Sequence, residues 1–254
     1  MKYNLLKVIV LGGLLATLQL SVQAQYNQYS QFHYSPLLTN PALTATSNNL
    51  QVLLNYRQES LANGFVYTNP MVSVIHPFVN NNGDGSERWG GVGFGLMQDQ
   101  TRLDNVSGIR TVAFSLNYAH NLKITKNSFL AFGVQGSYFN KSINTNNLMS
   151  REDILASGNN DPLLAAAQIK DLGSFSAGTI WYQEGKQGMK NYFGFSVYHI
   201  NRPNVNFNKD IEKLAMPVQW VFTAGYEVFN NDKFSVQPNA RVIFRDGNKI
   251  TSRT

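Results

Sequence analysis

The strongest constraint on the fold is a two-residue periodicity in which the face opposite the apolar one carries almost no charge. In residues 111–120, Val112, Phe114, Leu116 and Tyr118 share one face, and Thr111, Ala113, Ser115, Asn117 and Ala119 share the other. Residues 129–139 repeat the pattern, with Leu130, Phe132, Val134 and Tyr138 opposing Ala131, Gly133, Gln135 and Ser137. In residues 218–228, Val218, Trp220, Phe222, Ala224, Tyr226 and Val228 oppose Gln219, Thr223, Gly225 and Glu227. Such alternation marks half-buried strands. Weaker versions at 50–58, 66–77, 88–98, 173–183, 191–199 and 233–244 bring the expected count to nine. A soluble sandwich turns charged residues to water, whereas here only 14% of residues are charged, against about 25% in ordinary soluble proteins. Small, uncharged alternate positions suit a face turned into a confined, wet barrel lumen.

Beyond the N-terminus, apolar stretches run to about ten residues and are broken at alternate positions, too short for the ~20 of a spanning helix. Barrel strands need only about 9–11. The apolar faces often end in rings, at Tyr56, Trp89, Tyr118, Tyr138, Trp181, Tyr182, Tyr192, Trp220 and Tyr226, as interfacial girdles require; aromatics also simply favour strands. Loop lengths alternate from the fourth strand onward. Short connections at 121–128, 184–190 and 230–232 separate long ones at 140–172 and 200–217, matching short periplasmic turns and longer outer loops. The loop at 79–87 is long for a periplasmic turn. Within the first long loop, Asp161 and Pro162 stand as N-cap and N1 of a short helix.

Lys2 and Lys7, a largely apolar run from Val8 to Leu20, and small residues at Val22 and Ala24 form a cleavable secretory signal. Residues 1–24 are therefore expected to be removed, leaving 25–254 as one barrel domain. The formal net charge is +6, but its Lys and Arg are scattered and form no stripe for a phosphate backbone, so no nucleic-acid partner is expected. The absence of cysteine excludes disulfides, thiolate metal sites and cysteine nucleophiles.

No constellation carries catalysis. His33, His76, His120 and His199 sit on separate elements without a second ligand at metal spacing. Asn80–Asp84 lacks the acidic positions of a calcium loop. Gly90-Gly91-Val92-Gly93-Phe94-Gly95 alternates within a strand and opens no helix, so it reads as cleared space inside a barrel or at a close contact. Neither a catalytic residue, a metal nor a cofactor is expected.

Five motifs in order do resemble a known family. Gln28-Tyr29-Ser30-Gln31, followed by Pro36, Asn40, Pro41 and Ala42, resembles the opening of the PorP/SprF family of Bacteroidetes outer-membrane proteins. Tyr56-Arg57 resembles its first strand, and Gly91, Gly93 and Asp99 resemble its glycine hairpin. Asp161-Pro162 resembles its loop Asp-Pro, and Gly194, His199 and Pro203 resemble its G-x-S-x-x-H segment with the following proline. The resemblance spans roughly residues 28–240. It implies a non-enzymatic, antiparallel transmembrane β-barrel of the outer membrane serving type IX secretion and gliding motility. The implied partners are outer-membrane lipid and either a secreted surface adhesin or periplasmic ring components.

Two departures qualify that expectation. The chain ends in polar residues 246–254 without the terminal aromatic strand of such barrels, and nine is an odd strand number. The family barrel is longer, so the expectation is a barrel lacking its last strands. Alternative readings are an outer-membrane porin or solute transporter, and a soluble secreted β-sandwich. At residue level, a charge at Phe114 or Phe132 is expected to block membrane assembly, and Ala113→Asp to be better tolerated. Mass spectrometry of the protein isolated from membranes should read Gln25 as its first residue; a chain still beginning at Met1 would refute the cleavable signal.

Overall fold

The structure, a computed structural model, describes residue 29 and residues 31–60, 64–80, 87–103, 106–143, 169–185, 188–206, 214–231 and 234–246. The expected signal peptide, the motif residues Gln28, Ser30, Asp161 and Pro162, residues 161–168 of the expected short helix and most of the Asn80–Gly85 loop lie outside the described residues, and Ile169 opens a strand.

Alternating sequence becomes strand throughout. β1 (Gln51–Ser60), β2 (Phe65–Asn80), β3 (Glu87–Leu103), β4 (Val106–Lys123), β5 (Ser128–Ile143), β6 (Ile169–Gly185), β7 (Gly188–Tyr198) and β8 (Gln219–Tyr226) follow one another. A short hairpin of β9 (Phe229–Asn230) and β10 (Ser235–Val236) precedes β11 (Asn239–Arg245). The main sheet has nine strands in the order β1-β2-β3-β4-β5-β6-β7-β8-β11, every neighbour pair antiparallel. It is curled into a half-barrel. Among the described residues, β1 and β11 each pair on one side only, and no helix is long and apolar enough to cross a membrane.

The burial pattern is inverted relative to a soluble domain. Leu116, Val134 and Phe175 are about 60% exposed on the convex face, whereas Ala119, Ala131 and Ser196 on the concave face have no exposure. All three tryptophans, Trp89, Trp181 and Trp220, face outward. A convex surface of Val, Leu, Phe and Trp is stable against lipid, where the strand ladder satisfies the backbone internally. Two rings assigned to that face point the other way: Tyr182 and Tyr192 are buried inside, their hydroxyls bonded to Asn121 and Asn239 at 3.0 and 2.9 Å. A β-bulge between β2 and β3 accounts for one local reversal, sending Trp89 outward to stack on Phe78 and Arg88 inward.

One residue shows how tightly the sheet curls. The Tyr29 hydroxyl donates to Asn69 O on β2 at 3.0 Å, and the Tyr29 carbonyl accepts from Arg241 Nη2 on β11 at 3.4 Å. In a flat sheet, β2 and β11 would stand ~34 Å apart at ~4.8 Å per neighbour. A single tyrosine is far shorter than that, so the two ends of the sheet come round to face each other across the lumen.

Two expectations need correction. Residues 233–244 do not form one strand. Pro238 has no N–H to donate to a ladder, and residues 227–231 and 234–238 leave the sheet, with Val228 N bonded to Val236 O at 3.0 Å. Nor does Ala113 face open water. It is packed with Leu37, Met71 and Met97, so an aspartate there would bury a charge.

The face assignment predicts that Phe114→Lys and Phe132→Lys each destabilise the membrane-inserted protein by ~2–4 kcal/mol. Ser137→Lys, which projects from the concave face into a cavity, should cost less than either. Heat-modifiable mobility on gels after refolding into lipid reads the difference, and equal losses at the two faces would invalidate the inside-out assignment.

Candidate functional site: the filled lumen

The concave side is occupied by the chain's own N-terminal segment. Residues Phe32–Tyr34 form a turn of 3-10 helix, Pro36–Thr39 a short α-helix (α1), and Pro41–Ala45 a second 3-10 turn. The local sequence dictates this shape. Pro36 and Pro41 each open a helical turn, where the missing N–H has no partner to lose. Asn40, between them, is extended at φ −163 and ψ 122, as the residue before a proline is constrained to be. Its Oδ1 caps the second turn by accepting from Ala42 N at 2.9 Å.

The wall is built to receive this segment. A helix as short as α1 leaves its carbonyls unpaired, and inward side chains of the sheet donate to them. Gln135 Nε2 and Tyr198 Oη reach Leu37 O at 3.1 and 3.2 Å, and Ser196 Oγ reaches Thr39 O at 2.9 Å. In return, Asn40 Nδ2 donates to the carbonyls of Thr179 and Phe195 at 2.9 and 3.3 Å. Leu37, Asn40, Ala42 and Ala45 have no exposed surface.

Close approach is possible because the wall carries glycine where the segment touches it. A Cβ at Gly133 would overlap Pro41 C and Ala42 N, one at Gly178 would overlap Asn40 Oδ1, and one at Gly91 would overlap Thr44 O. At Gly93 and Gly194 it would come within 2.9 Å of Leu37 Cδ2 and 3.0 Å of Asn40 Nδ2. By contrast, Gly136 and Gly173 have nothing within 4 Å of such an atom.

Six of the motif residues singled out in the sequence therefore meet at one interface: Pro36, Asn40 and Pro41 on the segment, Gly91, Gly93 and Gly194 on the wall. Arg57 and Asp99 belong to a second group nearer Tyr29. Arg57 pairs with Glu59 and stands 5.6 Å from the Tyr67 ring centre, and Asp99 accepts a hydrogen bond from Tyr67. Burial, with Asp99 adding, pushes the Tyr29 hydroxyl well above the usual phenol range. His199 and Pro203 hold the turn after β7. His199 adopts φ 59, its Nδ1 lies 2.8 Å from Ser174 Oγ, and Pro203 O accepts from Met216 N at 2.9 Å. Burial, with Arg245 adding, pushes the His199 imidazole down to about 4 and keeps it neutral. Gln31 opens the first turn, its carbonyl accepting from Tyr34 N at 3.1 Å. Tyr56 stands apart on the convex face, its hydroxyl bonded to Gln58.

Sequence reasoning missed Gly133, Gly178, Gln135, Ser196 and Tyr198 as receptor positions. Gly133, Gly178 and Gln135 signal only as members of the small, uncharged face, whereas Ser196 and Tyr198 lie within the G-x-S-x-x-H segment without a role there. It also missed Arg88, which follows Glu87 at the start of β3. Arg88 is 4% exposed and bonds Asn48, the Tyr182 hydroxyl and, at 2.7 Å, Glu184. Among the described residues, no group of three or more His, Cys, Asp or Glu could hold a metal.

A glycine-cleared, proline-segmented N-terminus seated in an inside-out sheet carries the motifs of one family together. The family model of the type IX secretion system membrane protein PorP/SprF matches residues 21–252. The chain belongs to the PorP/SprF family. It is accordingly a membrane component of the type IX secretion system. No curated protein and no solved structure matches the chain. Within a PorP/SprF protein of this build, the motif residues at Pro36, Asn40 and Pro41 have a packing role: they shape the segment that fills the lumen.

The glycine contacts predict a matched pair. Gly133→Ala should destabilise the folded protein by ~1–3 kcal/mol through overpacking. Gly136→Ala, three residues away on the open face, should be neutral or slightly stabilising. Urea unfolding in lipid vesicles measures both, and comparable midpoints for the two variants would contradict the seated segment.

Proposed function

We propose that this protein is an outer-membrane β-barrel that serves type IX secretion and gliding without catalysing a reaction, by binding a secreted surface adhesin or a periplasmic ring component. The family match over residues 21–252 carries this reading. The lipid-compatible convex face supports placement in the membrane by strands. The N-terminal secretory signal in the sequence supports export to the outer membrane.

A binding role fits the distribution of chemistry along the chain. The inward polar side chains of Gln135, Ser196 and Tyr198 hold the N-terminal segment. The connections at 144–168 and 199–218 are the long ones, and they emerge at the same end of the strands. A protein partner is bound through such loops in preference to a tightly packed wall.

Affinity purification of the full-length chain from detergent-solubilised outer membranes tests the proposal. Co-isolation of a secreted adhesin or of periplasmic ring proteins in stoichiometric amounts is expected. Recovery of the barrel alone under mild detergent, together with normal secretion and gliding in a deletion strain, would overturn it.

A further inference from the structure

Successive layers of side chains lie across the lumen between its two mouths. At the tight-turn end, Arg88 joins Asn48, Tyr182 and Glu184, and Tyr182 in turn joins Asn121. Arg88 also lies 5.5 and 5.7 Å from the Tyr182 and Phe129 ring centres. These contacts tie β3, β4, β5 and β6 together from the inside. Above them the Pro41–Ala45 turn crosses the lumen, with Thr44 against Gly91, Ala42 against Gly133, and Asn40 against Gly178 and Gly194. Four wall strands thus touch the segment at glycines, which brings its backbone directly against each of them. Leu37 forms the next layer, against Gly93. Only beyond it does a cavity open, lined by Leu38, Met71, Met97, Phe139, Tyr198 and His199.

From this layering we infer that residues 31–45 are a resident plug that keeps the lumen shut, so that the protein does not conduct solutes and its cavity is a blind pocket. The plug is held by directional bonds from β5, β6 and β7 and by glycine contacts with β3, β5, β6 and β7. Loosening it requires several of these to fail together. Such a barrel offers its partner a surface and excludes through-flow. The inference rests on the membrane-barrel reading but is independent of which secretion partner binds.

The absence of cysteine makes a clean test available. Thr44 has no exposed surface, so Thr44→Cys reports whether the plug is seated. The full-length Thr44→Cys protein is reconstituted into liposomes, insertion is confirmed by heat-modifiable mobility, and two quantities are read: labelling by a membrane-impermeant maleimide and conductance in planar bilayers. The expected result is negligible labelling and no steady conductance. Adding Gly133→Leu, which drives a side chain into Pro41 and Ala42, should raise both together by about tenfold to a hundredfold. Adding Gly136→Leu, into open space, should raise neither. Steady conductance from an inserted, unlabelled Thr44→Cys protein would overturn the inference outright, whatever the second variant does. Labelling without conductance in Gly133→Leu would also overturn it, because the plug would have left without opening a path. Failure of the Thr44→Cys protein to insert would refute the barrel reading and this inference with it.

Discussion

A sheet that turns its apolar face outward has no core of its own unless something fills its concave side. In a soluble domain the hydrophobic effect pulls the large side chains together and packing follows. Here Phe94, Leu116, Val134 and Trp220 stand exposed on the convex surface, and an apolar medium around them contributes nothing to holding the inside together. The inner face must therefore be stabilised by close packing and hydrogen bonds alone. Both are short-range and both demand shape, so the inside is built from glycine, alanine, serine and asparagine around a segment whose backbone is pre-bent by two prolines. The small residues of the wall and the proline motif of the N-terminus are complementary parts of one contact.

This complementarity shows why some of the molecule was legible in its sequence and some was not. The nine strands were visible because alternation is a local property, and Phe132 reads as outward-facing whatever lies inside. The glycine run around Gly91 and Gly93 was correctly read as cleared space, because glycines at alternate strand positions have few other uses. What they are cleared for was not legible. The partner of Gly133 is Pro41 and that of Gly178 is Asn40, pairs that lie far apart along the chain. Nothing local in Ala113 distinguishes a residue facing water from one packed on Leu37 and Met71. Tyr182 and Tyr192 were misplaced for a related reason: a ring satisfies the apolar pattern, while its hydroxyl can equally find a buried asparagine. The bulge at Trp89 reverses the alternation over one residue, and only the register of β2 against β3 reveals it.

The type IX secretion family and the filled lumen bear on each other. A component that recognises another protein benefits from a rigid frame, since binding then costs less ordering. The Asn40 amide, bonded to carbonyls of two adjacent strands, and Tyr29, reaching from β2 to β11, act as internal braces across a sheet with unpaired edges. The turn around His199 and Asn201, where Asn201 Nδ2 donates to Gly173 O at 2.8 Å and its Oδ1 accepts from Phe175 N at 3.1 Å, extends that rigidity past the end of β7 into the loop end of the barrel.

The bond between Arg241 and the Tyr29 carbonyl joins residues 212 positions apart, and this has a kinetic consequence. The segment made first is among the last to find its place: its seats on β6 and β7 lie 139 to 161 residues downstream. Contacts so distant along the chain are slow to form, because loop closure must precede them. Before β7 is in position the N-terminal segment can lie against β3 and β5, but it lacks its bonds to Phe195, Ser196 and Tyr198. The interior is therefore completed only once the later strands have joined the sheet, however early the segment itself is made.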